Sequence, residues 1–178
     1  MSQMHQMQLS YISTEDRMLF RINTNARQEF RFWMTRRYTG ILWTTLSKLL
    51  EGAIKGQPQD GPPKPIHDSL VKSAEQELKH QEVVSQSDFQ TGYQENTYLP
   101  LGEEPALLFS VAIKPNPDAQ AMLCLHPENG QGVEIVLNEQ IVHSLCKLIA
   151  DTTNKAGWNL DLSFGESGTT PEPPAGLN

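Results

Sequence analysis

The hydrophobic pattern reads twice as a short alternating run that meets a capping residue and continues as an amphipathic helix. In Glu29–Met34, Phe30, Phe32 and Met34 fall on one side and Arg31 and Trp33 on the other, the period of two of a half-buried strand. Thr35 then stands where an N-cap is needed. Beyond it Tyr38, Ile41, Leu42, Thr45, Leu46, Leu49 and Ala53 recur at three and four, which predicts a helix from Arg36 to Ile54 closed near Gly56. Trp43 and Leu50 lie at the edge of its apolar face. The same grammar returns as Val133–Leu137, the cap Asn138, and a helix over Glu139–Thr153. Its spacing puts Ile141, Val142, Leu145, Leu148 and Ile149 inward and His143, Lys147 and Asp151 outward.

Two further strand-like runs precede each of these units. Gln8–Ser13 and Arg17–Asn23 flank a polar turn; Ala106–Lys114 and Ala121–His126 precede a turn built on Asn129-Gly130. The expected fold is therefore α+β: two related β-β-β-α units with antiparallel sheets, residues 1–55 and 106–164. Between them, Gly56–Pro65 holds four prolines and two glycines in ten residues, a composition that excludes a helix or sheet interior. A helix over Ile66–Val84 follows, with a thin stripe of Ile66, Leu70, Ala74 and Leu78, and then a polar, irregular segment over 85–105. The tail 165–178 has the composition of disorder.

Charge changes this picture more than composition does. The net charge of −7 divides into +3 over residues 1–60 and −10 over the remainder, and all six arginines fall within 21 positions. If Ile22 sits opposite Phe30 in a hairpin, Arg21 lies opposite Arg31 and Leu19 opposite Trp33. Like charges across a ladder cost up to roughly 1 kcal/mol. Arg36 and Arg37 occupy a helix's first turn, where cations oppose the macrodipole by about 0.3–1 kcal/mol each. These penalties call for a compensating anion: an acidic partner, a phosphate backbone, or the chain's own acidic half.

Catalytic and metal-binding patterns are absent from the sequence. Cys124-Leu-His126 reads as a small buried thiol beside an edge-of-strand histidine, because nothing in the spacing supplies an orienting third group. His5, His67, His80, His126 and His143 lack ligand spacing, and Glu103-Glu104 has no desolvating context. No metal and no cofactor are expected. Two distant cysteines suit a reducing cytosol, the N-terminus lacks the pattern of a secretory signal, and no apolar run approaches the roughly 20 residues that span a bilayer.

The expectation is a non-enzymatic cytoplasmic binding protein. Its partner-binding residues would be Arg21, Arg31, Trp33, Arg36 and Arg37, with an acidic protein as the partner and unpaired strand edges open to a homodimer. Single-stranded nucleic acid is the alternative, since an aromatic among arginines on a sheet suits stacking with phosphate contacts. In its order of elements the chain resembles PUR-repeat single-strand-binding proteins, whose repeats have four strands where three are read here.

Overall fold

The computed structural model describes residues 4–52, 66–115, 121–129 and 131–164, with residues 66–70 described by backbone alone. The Gly56–Pro65 linker, Gly130 and the tail 165–178 lie outside the described residues, as do Ala53 and Ile54. In chain order the elements are β1 (Met4–Ile12), β2 (Arg17–Thr24), β3 (Glu29–Met34), α1 (Arg36–Leu50), α2 (Ile66–Ser85), β4 (Ala106–Pro115), β5 (Ala121–Pro127), β6 (Val133–Leu137) and α3 (Glu139–Ala156).

Alternation sets the strands and their register. Met18, Phe20 and Ile22 of β2 and Phe32 and Met34 of β3 are all buried on one face. A slip of one residue would expose every one of them, at roughly 1.5–3 kcal/mol per side chain. The register is accordingly Ile22 opposite Phe30, Arg21 opposite Arg31 and Leu19 opposite Trp33. β1–β2–β3 and β4–β5–β6 are antiparallel meanders. Two separate antiparallel sheets were expected. Instead β3 and β4 pair in parallel through Phe32–Ala106 and Trp33–Leu107, which makes one six-stranded mixed sheet in the order β1-β2-β3-β4-β5-β6.

The helices hold that short joint. α1 packs on β4 and α3 on β1, so each helix lies against a strand of the other half, and the two helices also touch each other. A single cluster, including Phe20 and Phe32 on one side and Leu123, Leu125, Leu145 and Ile149 on the other, fills the space between. Both expected caps form: Thr35 Oγ1 accepts from the Tyr38 amide at 3.2 Å, and Asn138 Oδ1 from the Ile141 amide at 2.8 Å.

Several expectations shift. β1 begins at Met4, four residues before the predicted start, since Gln6 and Gln8 lie on its polar face. α1 ends at Leu50, where Gly52 takes a left-handed φ of 75°. Its buried face includes Trp43, while Ile41 is 42% exposed. The segment after α3 covers that indole, with Trp43 Nε1 donating to the Ser163 carbonyl and Phe164 against the ring. His143, expected outward, is buried because α2 packs on α3 there.

Gly132, ahead of β6, marks a close approach. A Cβ there would lie 2.7 Å from His126 Nδ1 and 2.8 Å from the Leu125 carbonyl oxygen. The carbonyl belongs to a ladder strand and cannot swing aside. Gly132→Ala should therefore lower stability by about 1–3 kcal/mol, the usual cost of overpacking, read as a fall in denaturant midpoint at unchanged slope. An unshifted midpoint would show that the turn relaxes freely.

Candidate interface on the outer sheet face

Because α1 and α3 lie on one face of the sheet, the residues alternating with the core residues point to the other. Three rows cross β1, β2 and β3 there: Gln6–Asn23–Glu29, Gln8–Arg21–Arg31, and Ser10–Leu19–Trp33, the last continuing to Leu107 on β4. Arg21, Arg31 and Trp33 are thus brought together. Leu19, Trp33 and Leu107 are half-buried, and Phe109, one step along β4, is 69% exposed.

The first row is roofed by a strap, Gly92–Tyr98, from the segment that reads as merely polar and irregular. Its alternate residues meet successive strands. Gln6 Nε2 donates to the Gly92 carbonyl at 3.3 Å, and Asn23 Nδ2 to the Gln94 carbonyl at 2.8 Å. The Asn96 amide donates to Glu29 Oε2 at 2.7 Å, and the Glu29 amide to the Tyr98 carbonyl at 2.9 Å. Asn23 and Glu29 are each 1% exposed beneath this cover.

The strap and Glu29 also answer the charge problem on the second row. Arg21 pairs with Glu95, donates from Nε to Gln8 Oε1 at 3.0 Å, and lies over the Tyr93 ring at 4.9 Å. Arg31 donates from Nε to Glu29 Oε1 at 2.7 Å, and this partner holds its guanidinium more firmly charged than usual. Burial, followed by the Glu29 charge, raises the Tyr93 phenol above its ordinary value. The compensating anions for the opposed arginines are thus supplied by the chain itself.

Arg36 and Arg37 are exposed at the start of α1. Arg36 turns to the segment after α3, donating from Nη2 to the Asn159 carbonyl at 2.9 Å. Near it, Asp16 Oδ1 accepts from Tyr11 Oη at 2.8 Å and Trp158 Nε1 at 3.1 Å. Those donors, with the Arg36 charge, hold the Asp16 carboxyl below its ordinary value. Arg36 therefore serves a different neighbourhood from Arg21 and Arg31.

The remaining chemistry is quiet. Cys124 lies opposite Glu134, its Sγ 3.7 Å from Oε1 of that residue, and Lys114 Nζ donates to the same oxygen at 2.6 Å. Burial pushes the Cys124 thiol up, and that of Cys146 up to about 12, which disfavours thiolate in both. Among the described residues no cluster of three His, Cys, Asp or Glu could hold a metal ion, and no helix is long and apolar enough to cross a membrane. A cleft of about 570 Å³ opens on the helix side, floored by Ile22, Phe30 and Ile135. At its rim the Asn138 side chain is committed to capping α3.

The two arginines should differ sharply on substitution. Arg31→Ala leaves the Glu29 carboxylate, 0% exposed at its side chain, with the Asn96 amide alone among the described residues. Breaking a buried pair this way costs about 3–5 kcal/mol. Glu95 is 64% exposed, so Arg21→Ala should cost no more than about 1 kcal/mol. Chemical denaturation of the two variants checks the order, and equal losses would contradict the asymmetry. Comparison with known proteins finds no family model, no curated protein and no solved structure that matches this chain.

Proposed function

We propose that the chain is a non-enzymatic binding protein that receives an acidic protein segment on its outer sheet face. Trp33, set between Leu19 and Leu107, is the anchor; Arg21 sets orientation, Arg31 adds its charge to the face while it holds the buried Glu29, and Arg36 and Arg37 add positive potential at the start of α1. The observation that carries this reading is the one-sided packing: α1 and α3 occupy the inner face, while on the other Leu19, Trp33 and Leu107 are only half-buried and Phe109, at a bulge in β4, is 69% exposed. Apolar area rimmed by cations fits the anatomy of interfaces, in which aromatic residues and arginine are enriched. Two buried free cysteines agree with a reducing, cytoplasmic setting.

The strap indicates what such a partner offers. Glu95 and Tyr93 give Arg21 a carboxylate and an aromatic face. An exposed ion pair is worth under about 1 kcal/mol, so a partner carboxylate replaces Glu95 at little cost. The net charge of −7 weighs against a polyanion such as single-stranded nucleic acid, which stays the second reading because Trp33 stands among arginines. We also infer that the two β-β-β-α halves are related by duplication. Matching element order, matching N-caps and helices on one shared face support this.

The test is a fluorescence titration with a Glu- and Tyr-containing peptide and, separately, with a single-stranded oligonucleotide, at about 50 and 200 mM salt. The peptide should bind, and Trp33→Ala should weaken it at least about tenfold, as for an interface anchor. Arg21→Glu should abolish binding, and Glu95→Gln, which frees Arg21, should tighten it. Peptide binding indifferent to Trp33 and Arg21, or none, would overturn the reading. Steeply salt-dependent oligonucleotide binding would replace it with the second.

A further inference from the structure

His80 of α2 and His143 of α3 meet ring to ring, Nδ1 to Nδ1, at 3.0 Å, with centroids 5.2 Å apart. His143 is 2% exposed, and its Nε2 is buried without a partner. A neutral imidazole carries one N–H, so one ring must donate to the other. An orphaned buried N–H is rarer than an unsatisfied acceptor. The favoured arrangement therefore has His143 donating from Nδ1, its bare Nε2 facing inward, and His80 accepting at Nδ1 with its own Nε2–H directed outward.

We propose that this pair is a proton-sensitive latch, which holds the C-terminal half of α2 on α3 when both rings are neutral and releases it when they charge. A proton taken up at His80 Nδ1 turns that acceptor into a donor. His143 must then move its proton from Nδ1 to Nε2, where it becomes a buried, unpaired N–H. A proton on His143 Nε2 instead buries a charge at an atom with no hydrogen-bond partner among the described residues. A second proton places two cations 3.0 Å apart with no acceptor between them.

Among the described residues, the other polar contacts of α2 at this point are slight. The Lys79–Glu139 pair is exposed on both sides, the Ser144–Ser87 hydroxyl contact is 3.3 Å, and Lys147 Nζ stands 5.5 Å from the Phe89 ring centre beyond the end of the helix. Phe164, from the segment after α3, covers His80 from the third side. The surrounding charges are of mixed sign. Glu77 favours a charged His80 and Lys147 opposes it; Glu139 favours a charged His143, and His80 and Lys79 oppose it.

Burial is the dominant influence and lowers both rings from the ordinary 6.5. Released rings titrate near that ordinary value, so below it the released form binds more protons than the docked one. Docking is then complete above the ordinary value and is lost as pH falls through the window beneath it, by about tenfold per pH unit for each extra proton bound by the released form.

The experiment follows α2 amide and histidine ring signals by NMR on the full chain, from about pH 8 to pH 5, the range in which histidine titrates. His80→Phe runs alongside; it keeps a ring against Phe164 and cannot take up a proton. The expected result is a transition in α2 that tracks ring protonation, leaves β5 and the core of α3 unchanged, and is shallower by one proton in His80→Phe, where His143 alone can titrate. Three results would overturn the latch: α2 docked throughout in the wild type, an acid transition as steep in His80→Phe as in the wild type, or loss of β5 signals in the same step.

Discussion

The joint between β3 and β4 is the constraint on which the molecule turns. Two residue pairs, Phe32–Ala106 and Trp33–Leu107, are all the ladder that connects the halves. So short a parallel pairing carries little stability of its own. The load passes to the helices, which cross reciprocally so that α1 rests on β4 and α3 on β1. Neither half can shed its helix without uncovering the other half's strand. The apolar cluster is continuous for the same reason, and among the described residues no helix is left for the outer face: α1 and α3 lie on the joint and α2 on α3.

Polar chemistry on the outer face is graded by depth. Glu29 is fully buried and held by Arg31 and the Asn96 amide, so that pair belongs to the fold. Arg21 is partly open and answers to an exposed Glu95, so its pair is exchangeable. Two arginines opposed on one ladder thus have different standing, decided by how much water each partner keeps. A functional argument that treats them alike would mistake a structural cation for a recognition group.

Much of the local structure was legible in the sequence. β3 and β6 have the predicted bounds, and the register of β2 on β3 follows from alternation, since Met18, Phe20, Ile22, Phe32 and Met34 admit one buried side. Thr35 and Asn138 cap as their chemistry requires. What stayed hidden was tertiary. Gln6, Asn23 and Glu29 look like solvent positions until the strap crosses them, and nothing in Gly92–Tyr98 has a strand's periodicity. His143 sits on the polar side of α3 by spacing and is buried only because α2 comes to lie there. The Phe32–Ala106 pairing had no sequence signal, since partners in a parallel ladder need no turn between them. Of the candidate site, the cross-strand pairs Arg21–Arg31 and Leu19–Trp33 were readable; Tyr93 and Glu95, which meet Arg21, were not.

The middle of the chain joins these observations. From His80 of α2, packed against α3, to Tyr98 beside β3, one continuous stretch passes from the helical layer around the β1 edge to the outer face. Unpaired edge strands invite association with other chains, and covering them is a common protection. β1 is clasped from both sides: α3 packs beneath it, and the strap crosses above it at Gln6. The clasp is fixed at its far end by a buried carboxylate and at its near end by two uncharged imidazoles. One end is tied down because Glu29 is held through Arg31 and a main-chain amide. The other depends on keeping protons away. A segment so anchored can loosen over α3 while Glu29 stays covered, which makes the α2 end, and not the strap, the part of the clasp able to respond to its surroundings.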